Sequence, residues 1–169
     1  MIYLKTLGIT FAADILSMFI SLTLASFSST FIRLISAVCT MCILIFFISS
    51  FSIKFAHNKL RIARINKTKS SISSAIPIGL ISSLPAAASW IILYISHSTG
   101  NFDFYRWHKI INAYFLQIYN FINSNASVTD LSNAHLALML PLVFIPFLTV
   151  MISYTLVYRK ETIMKSRAK

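Results

Sequence analysis

Charge is scarce in this chain, and negative charge is scarcest: 11% of the 169 residues are charged and four are acidic. With 57% of residues hydrophobic, so little charge excludes a single soluble domain, which at this length could not cover its own apolar side chains. Cysteine is down to two, Cys39 and Cys42, both inside one apolar run, and this excludes a disulfide framework. No Walker loop, GxGxxG run or HExxH motif occurs, which removes phosphate-loop, dinucleotide and zincin chemistry. The basic segments lack interleaved aromatics or any binding motif beyond bare charge, so the net charge of +11 does not point to nucleic acid.

What is present is four apolar runs, at 6–27, 31–51, 75–96 and 135–158. Each is about the 20 residues needed to cover a hydrocarbon core roughly 30 Å thick, where helices satisfy their own backbone hydrogen bonds. The reading is an all-α polytopic protein, one membrane domain over 1–169. Lys5 ahead of the first run resembles the start of a signal peptide, but the run is longer than the roughly 7–15 residues of a signal's apolar region, so a retained helix is expected. Ser28, Ser29 and Thr30 form so short a link that the first two spans must make an antiparallel hairpin.

Orientation follows from the cations. The link 52–74 holds Lys54, Lys59, Arg61, Arg64, Lys67 and Lys69 with no acidic residue. The tail holds Arg159, Lys160, Lys165, Arg167 and Lys169 against Glu161 alone. The positive-inside rule puts both in the cytoplasm, with both termini there and the protein in the cell membrane; anionic lipid headgroups are natural partners for these cations.

The outer link, 97–134, is the one soluble-facing segment of any size. Phe104, Trp107, Ile111, Tyr114, Ile118 and Phe121 recur at the three-and-four spacing of one helix face, which predicts an amphipathic interfacial helix over 104–121. It is expected to lie flat in the interface or on the bundle mouth, with Lys109 and Asn120 in water. Ser127 and Asp130 have capping-box spacing, and Asn133 is placed to cap the fourth span.

Small residues repeat every four positions at Ala13, Ser17, Ser21 and Ala25, and again at Gly79, Ser83 and Ala87. Such faces let membrane helices approach closely, within one bundle or against another membrane protein or a second copy. Pro85 and Pro146 lie well inside their spans and are expected to bend them. Asp14 is an ionisable group deep in an apolar span and so a functional candidate, as a hydrogen-bonded neutral carboxyl, an interhelical contact, or a proton or cation site. Folding the first hairpin about its turn sets Asp14 level with about Ile43, near Cys39 and Cys42, and some 15 Å in depth from Arg33. His57, His97, His108 and His135 lack partners at motif spacing and are read as surface residues.

Cys39-Thr-Met-Cys42 resembles the pair of quinone-coupled four-helix membrane thiol oxidoreductases. Those proteins generally relay electrons through a second pair, which this chain lacks, and a three-residue offset in a helix resists closing a disulfide. Buried free cysteines are the simpler expectation, and no metal or other cofactor is called for. The basic link, the Pro-containing third span Ile78 to Pro85, the Tyr105-Arg106 aromatic link and the Pro-bearing fourth span together resemble small uncharacterised four-span integral membrane proteins of bacteria. The resemblance spans about the C-terminal half and implies a bacterial inner-membrane setting without a mechanism. The leading expectation is a non-enzymatic accessory or interaction subunit of a membrane assembly. A small transporter or channel subunit, resting on Asp14 and the prolines, comes second, and a thiol oxidoreductase third.

Overall fold

The computed structural model describes residues 2–25, 29–68 and 71–167. Ser28, Lys69 and Lys169, invoked above, lie outside the described residues, as do the side chains of Ala25, Lys165 and Arg167. The chain is all-helical, with no strand among the described residues. Four segments are long and apolar enough to cross a membrane, Ile2–Leu24, Thr30–Ile65, Ile72–Thr99 and Asn133–Glu161, as in a multi-pass membrane protein.

Helix α1 (Ile2–Ala25) keeps its hydroxyls inside its own ladder: Thr6 and Thr10 each donate to the carbonyl four residues back, at 3.1 Å. That is how hydroxyl residues are tolerated where water is absent. Its small-residue stripe is spent within the chain, since Ala13, Ser17 and Ser21 are all fully buried. The opposite side presents Phe11, Ile15, Phe19 and Leu22 outward, where lipid covers them.

Helix α2 (Thr30–Ile65) has 36 residues, about 54 Å at 1.5 Å per residue. It therefore runs on through 52–65, a stretch expected to be link, and stands well clear of a hydrocarbon core roughly 30 Å thick. It stops in a Schellman-type turn: Thr68 N donates to Ala63 O at 3.0 Å, and Lys67 takes the left-handed position at φ 52°. A 3-10 turn (Ile72–Ala75) leads into α3 (Ile76–Thr99), which ends at Gly100 with φ 66°. Pro85 lies inside α3 and is buried without interrupting it.

The fourth span is two helices, α6 (Asn133–Val143) and α7 (Ile145–Arg167), parted at Phe144; they are numbered after two short helices of the outer link, α4 (Tyr105–Ile111) and α5 (Leu116–Ile122). Pro146 cannot donate to Leu142 O, and Phe144 N turns back to Pro141 O at 3.1 Å. Ser132 rather than Asn133 caps this span, in a reciprocal box with His135, while Asn133 Oδ1 meets His97 Nε2 at 3.2 Å. Ser127 does cap a short 3-10 turn, Val128–Asp130.

Helix α2 packs between α1 and α7, and α3 closes the bundle against α7 and α1. Gly79 permits the closest approach: a Cβ there would lie 2.7 Å from the Phe147 ring. Toward the basic end, α2 and α7 stay together. Ser52 Oγ donates to Val150 O at 3.0 Å, Phe55 lies 6.0 Å from the Tyr154 ring, and Glu161 is held by Arg64 and by His57 Nδ1 at 3.2 Å.

Candidate functional site: a helix break held inside the bundle

The expected continuous helix over 104–121 is not what forms. It breaks after Ile111 into α4, a 3-10 turn (Ala113–Phe115) and α5. The break descends into the bundle. Ala113 N donates to Asp14 Oδ1 at 2.6 Å, and Thr40 Oγ1 donates to Tyr114 O at 3.0 Å. At about 1.5 Å per residue, Asp14 lies some 17 Å below the far end of α1 and Thr40 some 15 Å below the start of α2. Two independent anchors thus give one level along α1 and α2, and the turn sits between these helices inside the bundle. Lipid-exposed irregular backbone is excluded there, and this turn is tolerated because protein buries it: Ala113, Tyr114 and Phe115 are at most 1% exposed.

Asp14 is the cap this turn requires. A helix start leaves backbone N–H groups unpaired, and Asn112, the residue at the cap position, makes no side-chain bond to them. The carboxyl of Asp14 takes that role from another helix, accepting from Ala113 and also from Tyr114 N–H. Negative charge or acceptor density belongs at a helix N-terminus, so the contact has the right polarity.

Asn112 is free to tie the other side. Its Nδ2 donates to Ser89 Oγ at 2.6 Å and to His108 O at 2.9 Å, and its Oδ1 accepts from Tyr114 Oη at 3.1 Å. Ser89 Oγ also lies 3.1 Å from His108 Nδ1, and Tyr119 covers the imidazole at 4.8 Å between ring centroids. Burial, with Lys109 nearby, pushes His108 down to about 4, so it is neutral at physiological pH. The Ser89–His108 contact is a junction rather than a nucleophile and base, because Ser89 is 2% exposed and its oxygen already accepts from Asn112.

Lys109 locks the pair of short helices. Its Nζ donates to Asn120 Oδ1, Asn123 O and Asn125 O at 2.8 to 2.9 Å and sits 4.3 Å from the Tyr105 ring centroid. Expected in water, it is 6% exposed; burial brings its ammonium down to about 8. His108, expected on the surface, is fully buried, whereas Trp107 of the same helix is outward.

The remaining candidates do not join this cluster. Cys39 and Cys42, expected buried, are free and exposed on the outward side of α2. Arg33 is exposed, Pro85 and Pro146 are buried, and Lys54, Lys59, Arg61, Arg64, Lys67, Arg159 and Lys160 gather at the opposite, basic end. No group of His, Cys, Asp or Glu able to hold a metal occurs among the described residues. Ser17, Ser21 and Ser36 Oγ, Tyr119 Oη and His108 Nε2 are buried without a hydrogen-bond partner.

Sequence reasoning found Asp14 and missed Ser89, His108, Asn112 and the Tyr114 backbone. A signal was available: Asn112, a poor helix former with a short polar side chain, stands in mid-segment where a continuous helix would not favour it. Comparison with protein-family models, curated proteins and solved structures finds no match to this chain.

Proposed function

We propose that this is a cell-membrane protein with its basic end and both termini in the cytoplasm, acting as a non-enzymatic accessory or interaction subunit of a membrane assembly. The observation that carries the reading is the paired projection of α2 and α7. Three successive ties, Ser52 to Val150 and Phe55 to Tyr154 toward the end of the spans and His57 and Arg64 to Glu161 past them, hold the two helices together to the basic end. Exposed Arg159 and Lys160 lie on it. A stiff basic element needs little ordering to bind an acidic partner, which favours docking.

The test is purification of the full chain from native membranes in mild detergent. A partner recovered in fixed stoichiometry, lost on Arg159→Glu/Lys160→Glu and retained with the far-end control Arg33→Glu, is expected. Recovery of no stoichiometric partner, or one indifferent to charge reversal, would refute the reading. Orientation is checked separately with a membrane-impermeant thiol reagent on a Cys39→Ser/Cys42→Ser background carrying Asn66→Cys, expected unlabelled from outside intact cells.

A second reading, a small transporter or channel subunit, is favoured by Asp14 beneath a re-entrant helix start and by the unpartnered hydroxyls of Ser17 and Ser21 on the same helix. Proteoliposomes loaded with a pH-sensitive dye test it: proton or cation flux abolished by Asp14→Asn supports it, and flux equal to that of empty vesicles removes it.

A further inference from the structure

At the basic end, on the face of α2 turned away from Glu161, three adjoining cavities of about 220, 460 and 320 Å³ share Ile2 and Phe55 as wall residues. They follow one helical face of α2: Phe51, Lys54, Phe55, Asn58, Lys59, Ile62 and Ile65 recur at three-and-four spacing. Helix α1 supplies Ile2 and Lys5, and α3 supplies Pro77 and Ile78.

Charge and polarity along this face are mismatched to water alone. Lys5, Lys54, Lys59 and Arg61 line it and no acidic residue does. The chain has four acidic side chains: Asp14 is deep in the bundle, Asp103 and Asp130 are at the far end, and Glu161 is engaged by Arg64 and His57. Meanwhile Ile62 and Ile65 are 53% and 70% exposed among the described residues, in a stretch of α2 beyond the hydrocarbon core. Depth completes the description. If about 20 residues of α2 cross the core, Lys54 and Lys59 follow within roughly 5–12 Å, in the headgroup layer.

A cationic wall at phosphate level beside apolar side chains is complementary to an anionic phospholipid and to little else at that depth. We propose that this groove binds an anionic phospholipid of the adjacent leaflet, with its phosphate held by Lys5, Lys54 and Lys59 and its chains laid against Ile2, Phe55 and Ile62. Phe55 is shared between this groove and the Tyr154 contact, but the cations Lys5, Lys54 and Lys59 lie away from Arg159 and Lys160, so the site stands whether or not α7 docks a partner.

The full chain is purified in mild detergent, mixed with equimolar phosphatidylglycerol and phosphatidylcholine of identical acyl chains, and examined by native mass spectrometry. Phosphatidylglycerol is expected to be retained at one copy with a preference of about tenfold or more, from the electrostatics of several cations near one phosphate. Lys54→Gln/Lys59→Gln should reduce the preference to near unity, Lys54→Arg/Lys59→Arg should keep it, and Arg159→Gln/Lys160→Gln should leave it unchanged. The Arg pair guards against misfolding, since both substitutions alter packing alike but only one removes charge. Equal retention of the two lipids by the native chain, equal loss in the Arg159/Lys160 control, or displacement by millimolar inorganic phosphate would each overturn the proposal.

Discussion

Replacing Asp14 should open the re-entrant segment without unfolding the bundle. In Asp14→Ala, the N–H groups of Ala113 and Tyr114 lose their acceptor at residues 0% and 1% exposed. A buried donor left unsatisfied costs about 1–3 kcal/mol, so the pair loses on the order of 2–6 kcal/mol at this turn. Asp14→Asn keeps one carbonyl oxygen at the same place and gives up only the advantage of a carboxyl acceptor, on the order of 1 kcal/mol. Since Thr40, Asn112 and Ser89 still hold the turn from other sides, the loss should appear locally rather than as global unfolding. Hydrogen exchange read by mass spectrometry in nanodiscs is the suitable assay. At tenfold per 1.4 kcal/mol, exchange over 112–122 should quicken by roughly 30-fold or more in Asp14→Ala and by less than about tenfold in Asp14→Asn, with α7 unchanged. Unchanged protection at 112–116 in Asp14→Ala, or equal loss in both variants, would refute the capping role.

Three further outcomes follow from separate contacts. His108 sits at about 4 in the fold against 6.5 when solvated, so the opened segment binds the extra proton between those values; stability is complete above pH 6.5 and falls as pH drops toward 4, by on the order of 3 kcal/mol. Thermal melts across that range should show the decline and His108→Gln should flatten it. Gly79→Ala puts a methyl against the Phe147 ring and should destabilise by about 1–3 kcal/mol; a double-mutant cycle with Phe147→Leu should recover part of it, and strict additivity would deny the contact. Lys67→Gly relieves a side chain held at φ 52° and should stabilise the end of α2 by up to about 1 kcal/mol, seen as slower exchange at Thr68; faster exchange would mean the turn is not held as described.

What the chain determined by itself is what hydropathy and local spacing encode. Four spans, the first hairpin, the asymmetry of the cations and the exceptional standing of Asp14 were all legible, because bilayer thickness converts a run length into a span and because an acid in an apolar run has no innocent setting. The register estimate for Asp14 was also close: Thr40 and Asp14 do meet neighbouring residues of the same turn. The continuation of α2 through 52–65 was missed because charged residues there favour helix as readily as link once α7 runs alongside, and Glu161 lies 97 residues from Arg64. The fate of 104–122 was decided by tertiary structure alone. Its apolar spacing suits a helix on lipid and a helix packed in protein equally well, since periodicity records which side is apolar and not what covers it. The acceptor on Asp14, 99 residues away, caps the broken helix inside the bundle together with Thr40 and Ser89, and burial by Tyr119 and Ser89 turns His108 from a surface residue into a neutral element of the core. A buried backbone amide must find a partner, and which partner it finds is a property of the packed chain rather than of any local segment.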